Sequence, residues 1–306
     1  MIVFMTVDTV GEIFERAGCT GTLLVQPLHG EGEFGLDADQ LVVPASVVKV
    51  LVALAAETWF AEGRLDPRER VVLGAARRTP GTVGVSLFED EVALSLRDMV
   101  VLMLTISDNP CTDALMNRLG VDTLNATAAR LGLRNTVVRS DLRTMLDSIG
   151  QDLGRAGWAD LVDWSARASA AESAGVDEQL PGTRALTPGA GTSTTARDMV
   201  RLLRLLWSGQ AGPAAACARV RAVMGRQLTR HRIASGFRAP VRVAAKSGGL
   251  AGIVRNEVGV VSYPDGRQYA AAVFTRSRPG ADDAAINAAI GAATAHAVAS
   301  LHRETA

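Results

Sequence analysis

Two lysines, Lys49 and Lys246, stand among thirty arginines, which is the residue-level oddity of this chain. Where arginine serves as the general-purpose cation, a retained lysine marks a place where a guanidinium fails. An ammonium can lose its proton when desolvated and act as a base, whereas arginine stays charged. Three residues before Lys49 stands Ser46, and the residues that follow, Val50, Leu51, Val52 and Leu54, are apolar on nearly every face of a helix. One helical turn would bring hydroxyl and amine to the same side, with the serine at the positive helix end. A lysine desolvated in that setting is a general base for a nucleophilic serine. The plainer reading is a serine cap and a lysine that snorkels to solvent, and Ser-x-x-Lys alone is too short to decide. Two further groups carry chemistry in the same way: Ser107-Asp108-Asn109, following the apolar run 99–106, and Lys246-Ser247-Gly248, at the end of a strand-like segment. Each alone also reads as a helix cap or a strand terminus.

In order, Ser-x-x-Lys, Ser-Asp-Asn and Lys-[Ser/Thr]-Gly make up the set of class A β-lactamases and penicillin-binding proteins. Residues 46 and 107 stand 61 apart and residues 107 and 246 stand 139 apart. With an insertion allowed in the second interval, the chain resembles the class A serine β-lactamase family. The likeness extends to Pro44-Ala-Ser-Val-Val-Lys49, Ile106-Ser-Asp-Asn-Pro-Cys-Thr-Asp113, Leu131-Gly-Leu133, Thr194-Thr-Ala-Arg-Asp-Met199 and Arg255-Asn256, and so to nearly the whole chain.

That resemblance implies a function, a serine hydrolase that opens a β-lactam amide through a Ser46 acyl-enzyme, and a set of roles. Ser46 is the expected nucleophile, Lys49 its base, and Ser107 the relay of a proton to the leaving amine, supported by Lys246. The N–H groups of Ser46 and Gly249 are the expected oxyanion hole. Asn109, Ser247, Gly248 and Arg255 are expected to bind substrate, the arginine by a bidentate grip on a carboxylate. One departure bears on deacylation. The Glu-x-x-Leu-Asn string that supplies the water-activating glutamate in class A hydrolases is absent, which leaves Asp147 and Asp141 as local candidates, with Glu172, Asp177 and Glu178 further on. For each aspartate a capping or surface role is the plainer reading. The alternative function is a cytoplasmic serine amidase, esterase or acyltransferase on another substrate, in which an amine or other acceptor releases the acyl group. A non-catalytic regulatory protein of the same fold is a third reading, and the intact Ser46, Lys49, Ser107, Asn109 and Lys246 speak against it.

The elements that must position these residues follow from periodicity. Apolar spacing predicts helices over 7–17, 46–62, 95–106, 109–119, 121–131, 195–207 and 282–301, and strands over 20–27, 241–245, 253–262 and 268–275. Gly30, Gly32 and Gly35 fit a dinucleotide-binding spacing, but no helix begins after them, and a hairpin is expected instead. The fold class is therefore α/β in the α+β sense: an antiparallel sheet from both chain ends, flanked by helices, with an inserted all-α domain. The expected division is 1–44 plus 236–306 for the sheet and 45–235 for the helices, with an insertion at 148–192 held in order by Trp158 and Trp164. The site is expected in the cleft between the two parts.

Composition excludes other classes. The 306 residues are 48% hydrophobic, with 32 basic against 32 acidic side chains. That balance offers no footprint for nucleic acid or an anionic membrane, and the expected partner is a small amide or ester. Cys19, Cys111 and Cys217 are far apart and give no disulfide framework or zinc pattern, so neither metal nor cofactor is expected. The histidines at 29, 231, 296 and 302 are scattered and read as superficial. Neither Tyr263 nor Tyr269 begins a Tyr-x-Asn, and no Gly-x-Ser-x-Gly occurs. The segment Met1 to Asp8 lacks the basic flank and apolar core of a secretory leader, so the chain as written is expected to be cytoplasmic, or periplasmic or secreted if its start is misassigned. The apolar stretch 41–56 falls short of the ~20 residues of a membrane helix.

Overall fold

The structure, a computed structural model, describes residues 7–304. Most of the segment read for a leader, residues 1–6, lies outside them. In chain order the elements are α1 (Val7–Arg16), β1 (Cys19–Pro27), β2 (Phe34–Leu36), α2 (Lys49–Ala61), β3 (Arg70–Leu73), β4 (Val92–Ser95), α3 (Leu96–Thr105), α4 (Asn109–Leu119) and α5 (Val121–Arg130). There follow α6 (Leu142–Asp152), α7 (Trp158–Ser165), α8 (Ala170–Gln179), α9 (Ala196–Trp207), α10 (Ala214–Met224), β5 (Arg242–Leu250), β6 (Val254–Ser262), β7 (Gln268–Ser277) and α11 (Asp283–Glu304).

Five strands form one antiparallel sheet in the order β2-β1-β7-β6-β5, so strands from the two chain ends meet at the β1–β7 pair. β6 and β7 are buried along almost their whole length. β7 reads accordingly as an apolar run over 269–274, whereas β6 buries Arg255, Asn256 and Glu257 in succession before its apolar end. One face packs on α1 and α11 through Phe14, Leu23, Val273, Ile286 and Ile290. The other face meets the helical layer, where Leu51, Leu54, Met103 and Leu203 pack toward Val258 and Ala272. A third cluster joins Ile149 of α6 and Leu161 of α7 to Val43, Ala45 and Leu250, with Trp158 and Trp164 half-buried against it.

Local chemistry sets the helix starts. Ser95 and Thr195 accept hydrogen bonds from the backbone N–H of Asp98 and Asp198 at the heads of α3 and α9. In α9 Met199, Leu202, Leu203 and Leu206 are buried while Arg197, Arg201 and Arg204 line the outer face.

Several expectations are corrected. The antiparallel pair β3–β4 sits inside the stretch 45–235 expected to be all-α. β5 runs five residues past its expected end, because pairing with β6 continues through Leu250↔Val254. His296 is buried, edge-on to Phe34. Residues Asp283–His302 of α11 have the length and apolarity of a membrane span, yet their apolar side chains pack against the sheet.

Candidate active site

Ser46 does not open the long helix. It lies in a 3₁₀ turn, Ala45–Val48, and α2 begins at Lys49. Lys49 thus stands one turn on from Ser46, and its amine is bonded to Ser107 and Asn109 rather than to the Ser46 hydroxyl. The turn is clamped from both sides. Ala45 takes a left-handed φ of +48°, while Asn256 donates from Nδ2 to the carbonyls of Val43 (2.8 Å) and Pro44 (3.1 Å). Gly248 is required here, since a Cβ on it would stand 2.8 Å from the Pro44 carbonyl oxygen.

Lys49 is fully buried, and its Nζ donates to the Ser107 carbonyl (2.7 Å), Ser107 Oγ (3.2 Å) and Asn109 Oδ1 (2.8 Å). Burial pulls the ammonium down to about 7, against the opposing charges of Asp108 and Asp113. Ser107 sits in the α3–α4 turn with φ +65°, a left-handed conformation that a β-substituted residue keeps only when its surroundings hold it. Asp108 does the holding. One carboxylate oxygen caps α4 at the N–H of Cys111 (2.8 Å) and the other accepts from the N–H of Val85 (2.6 Å). Asn109 is engaged at both ends of its amide, since Nδ2 donates to the Pro80 carbonyl (2.7 Å).

Lys246, on β5, is also fully buried and donates to the Ser247 carbonyl (2.7 Å). Burial, and then the charge of Lys49, hold it well below the ordinary lysine range, with Glu257 opposing. Two ammonium groups in one dry region repel, so protonation of one disfavours protonation of the other. Ser247 is placed by Gln227, whose Oε1 accepts its N–H and whose Nε2 reaches the buried Glu257 (3.0 Å).

Arg255 goes elsewhere. It lies across from Gly249 in the β5–β6 register, but its buried guanidinium pairs with Asp283 at the start of α11 and bonds the Gly252 carbonyl and Ser277 Oγ. It is not part of the cleft wall.

A cleft of 580 Å³ brings Ser46, Asn109 and Gly249 together. Larger hollows of 830 and 890 Å³ lie elsewhere and contain none of the three. The opposite wall of the Ser46 cleft comes from α6 and α7, with Leu142, Met145, Leu146, Trp158 and Val162. α6 is seated by Asp113, whose carboxylate accepts from the N–H groups of Leu142 (2.8 Å) and Arg143 (2.9 Å) and from Thr79 Oγ1 (2.5 Å).

Both aspartates expected near the site are engaged by backbone N–H groups outside it, Asp141 as a helix cap and Asp147 from within α6. Asp141 accepts from the N–H of Thr144 (2.8 Å) at the head of α6 and borders the 830 Å³ hollow; Asp147 accepts from the N–H of Trp158 (3.1 Å) at the head of α7. The carboxylate that does line the Ser46 cleft is Asp163, which sequence reading passed over because nothing in the 148–192 stretch marks one acid from its neighbours. Gln227 is likewise without a signal as a positioning residue, since Ser247 and Glu257 are far from it in the chain, while Asp108 and Asn256 stand in the motifs but without an assigned role.

The model of the Beta-lactamase enzyme family matches residues 6–301. The chain belongs to that family. Among curated proteins it is similar to the "Beta-lactamase regulatory protein BlaB" of Streptomyces cacaoi, 29% identical over 283 residues and covering 89% of each chain. Its fold is that of the β-lactamase from Sphaerobacter thermophilus, with a TM-score of 0.76 at 24% identity, covering 99% of this chain and 98% of that one. It is equally that of a PBP-A variant solved as an acyl-enzyme complex with penicillin G, with a TM-score of 0.75 at 21% identity, covering 97% and 96%. Family and fold make this chain a serine-hydrolase scaffold of the β-lactamase kind.

Proposed function

We propose that this protein forms an acyl-enzyme on Ser46 by opening a β-lactam amide. The observation that carries the reading is Lys49, a buried amine drawn down to about 7, three residues after Ser46 and within 3.2 Å of Ser107 Oγ. In its neutral form Lys49 takes the Ser46 Oγ proton as the oxygen attacks the lactam carbonyl carbon. The N–H groups of Ser46 and Gly249 hold the developing oxyanion. When the carbon–nitrogen bond breaks, the proton passes from Lys49 through Ser107 to the leaving nitrogen. The products are a Ser46 ester and a ring-opened amine.

Deacylation follows a different logic. Asp141 and Asp147 are committed to backbone N–H groups outside the cleft, and Asp163, the one carboxylate among the described residues that lines it, is assigned below to the acyl side chain, so none of the three is given the activation of water at the ester. This favours a long-lived acyl-enzyme, and thereby a binding or sensing role, over rapid hydrolysis. The likeness to a protein named as a β-lactamase regulator agrees with that direction, as does the acyl-enzyme state of the PBP-A neighbour.

The test is the intact mass of the protein at intervals after adding penicillin G, with hydrolysis of a chromogenic cephalosporin followed in parallel. A stable adduct of the penicillin's mass, lost in Ser46→Ala, is expected. A fleeting adduct with turnover would restore hydrolysis as the main activity, and no adduct with any β-lactam would shift the substrate to other amides or esters.

A further inference from the structure

The acyl side of the cleft has an asymmetric character. Its α6–α7 wall is apolar for most of its extent, through Leu142, Met145, Leu146, Trp158 and Val162, and then ends at Asp163. Among the described residues that line this cleft, Asp163 is the one charged side chain. It is solvent-exposed, and no hydrogen bond or ion pair engages its carboxylate; Arg167, the cation beside it, bonds its backbone carbonyl instead. Two acids near it in the chain are differently occupied: Asp160 accepts from the N–H of Ala156, and Glu172 caps α8 with Ser169. Asp163 also stands on a helix, in the turn after Trp158, which fixes its position against the apolar wall. An unpaired negative charge at the end of an apolar trough selects ligands by sign. It attracts a cation, tolerates a neutral group and repels an anion.

We infer that Asp163 makes this cleft selective for acyl donors whose side chain is apolar and carries a protonated amine. The inference rests on the acylation reading above for its probes, and it concerns specificity rather than chemistry. In this assignment Asp163 meets the acyl side chain and takes no part in the proton transfers at Ser46.

Three penicillins with the same phenylacetyl frame provide the test: unsubstituted, para-aminomethyl and para-carboxy, so that the charge sits at the end of the apolar acyl side chain. Acylation rate constants of the full chain are read by mass spectrometry where the amine is protonated, each as a ratio to the unsubstituted compound. The aminomethyl compound is expected about threefold faster than the unsubstituted one and the carboxy compound about threefold slower, the scale of an exposed charge pair. Raising the salt concentration shrinks both ratios, and Asp163→Asn brings both close to unity. Equal ratios in the native chain, or an order that survives in Asp163→Asn, would overturn the assignment. Should none of the three acylate Ser46, the chemistry of the preceding section fails by itself. Calorimetric binding of the same compounds to Ser46→Ala then decides the charge selection: the same order, abolished by adding Asp163→Asn, supports it, and equal affinities refute it.

Discussion

At the scale of the residue, the site turns on the proton affinity of one amine. Burial penalises the charged form of Lys49, while the neighbouring carboxylates restore only part of its proton affinity, which leaves it at about 7. The sign of the consequence is fixed. Below that value Lys49 is an ammonium and cannot accept the Ser46 proton; above it the amine is free. Acylation by a saturating β-lactam is expected to rise about tenfold per pH unit below 7 and to level off above it. Lys49→Arg, which cannot deprotonate, should lower the rate by about 10²- to 10⁴-fold and remove the rise. A stopped-flow acylation profile against pH checks both. A native profile flat through this range would mean that Lys49 is not the base.

At the scale of the element, the reactive groups depend on short helices set at fixed angles by carboxylates. Asp113 seats α6, and Asp147 connects α6 to α7. Gly150 of α6 leaves no room for a side chain at that junction, since a Cβ there would collide with the Gly157 carbonyl oxygen. Losing a hydrogen bond of this kind, from a carboxylate to a backbone N–H, costs about 1–3 kcal/mol. Asp147→Ala is therefore expected to lower the melting temperature by a few degrees, while the lifetime of the Ser46 adduct stays as in the native chain. A markedly longer adduct lifetime in Asp147→Ala would instead give that residue a part in deacylation. The comparison separates a structural aspartate from a general base, which sequence position alone does not.

At the scale of the whole molecule, the nucleophile and the strand beside it come from distant parts of the chain. Asn256 is the latch between them. Fully buried on β6, it donates to the carbonyls of Val43 and Pro44 and accepts the N–H of Thr275 on β7. Arg232 supports the same seam by donating to the carbonyls of Gly248 and Asn256. Asn256→Ala strips these buried backbone groups of partners. It should cost about 1–3 kcal/mol, seen as a lower denaturant midpoint at unchanged slope, and it should slow acylation as the 3₁₀ turn loosens. An unchanged midpoint would mean that water replaces the amide at no cost.

What the sequence determined by itself is the inventory of chemistry and the kind of fold around it. The order of Ser46, Lys49, Ser107 and Lys246, and the rarity of lysine, are properties of residue type and position. So is the periodicity that separates strands at both ends from helices between. Those signals are local, because a helix or strand shows its buried face within a few residues. Tertiary structure decided which polar groups are already engaged. Arg255 has the identity and spacing of a carboxylate binder, yet Asp283 at the head of α11 holds it. Asp141 and Asp147 have the position of a base but are committed to helix ends, and it is Asp163 that reaches the cleft. An ionisable side chain follows the partners that three-dimensional proximity supplies. Pairings such as Asn256 with Val43 span more than two hundred residues and leave no trace in any window of sequence.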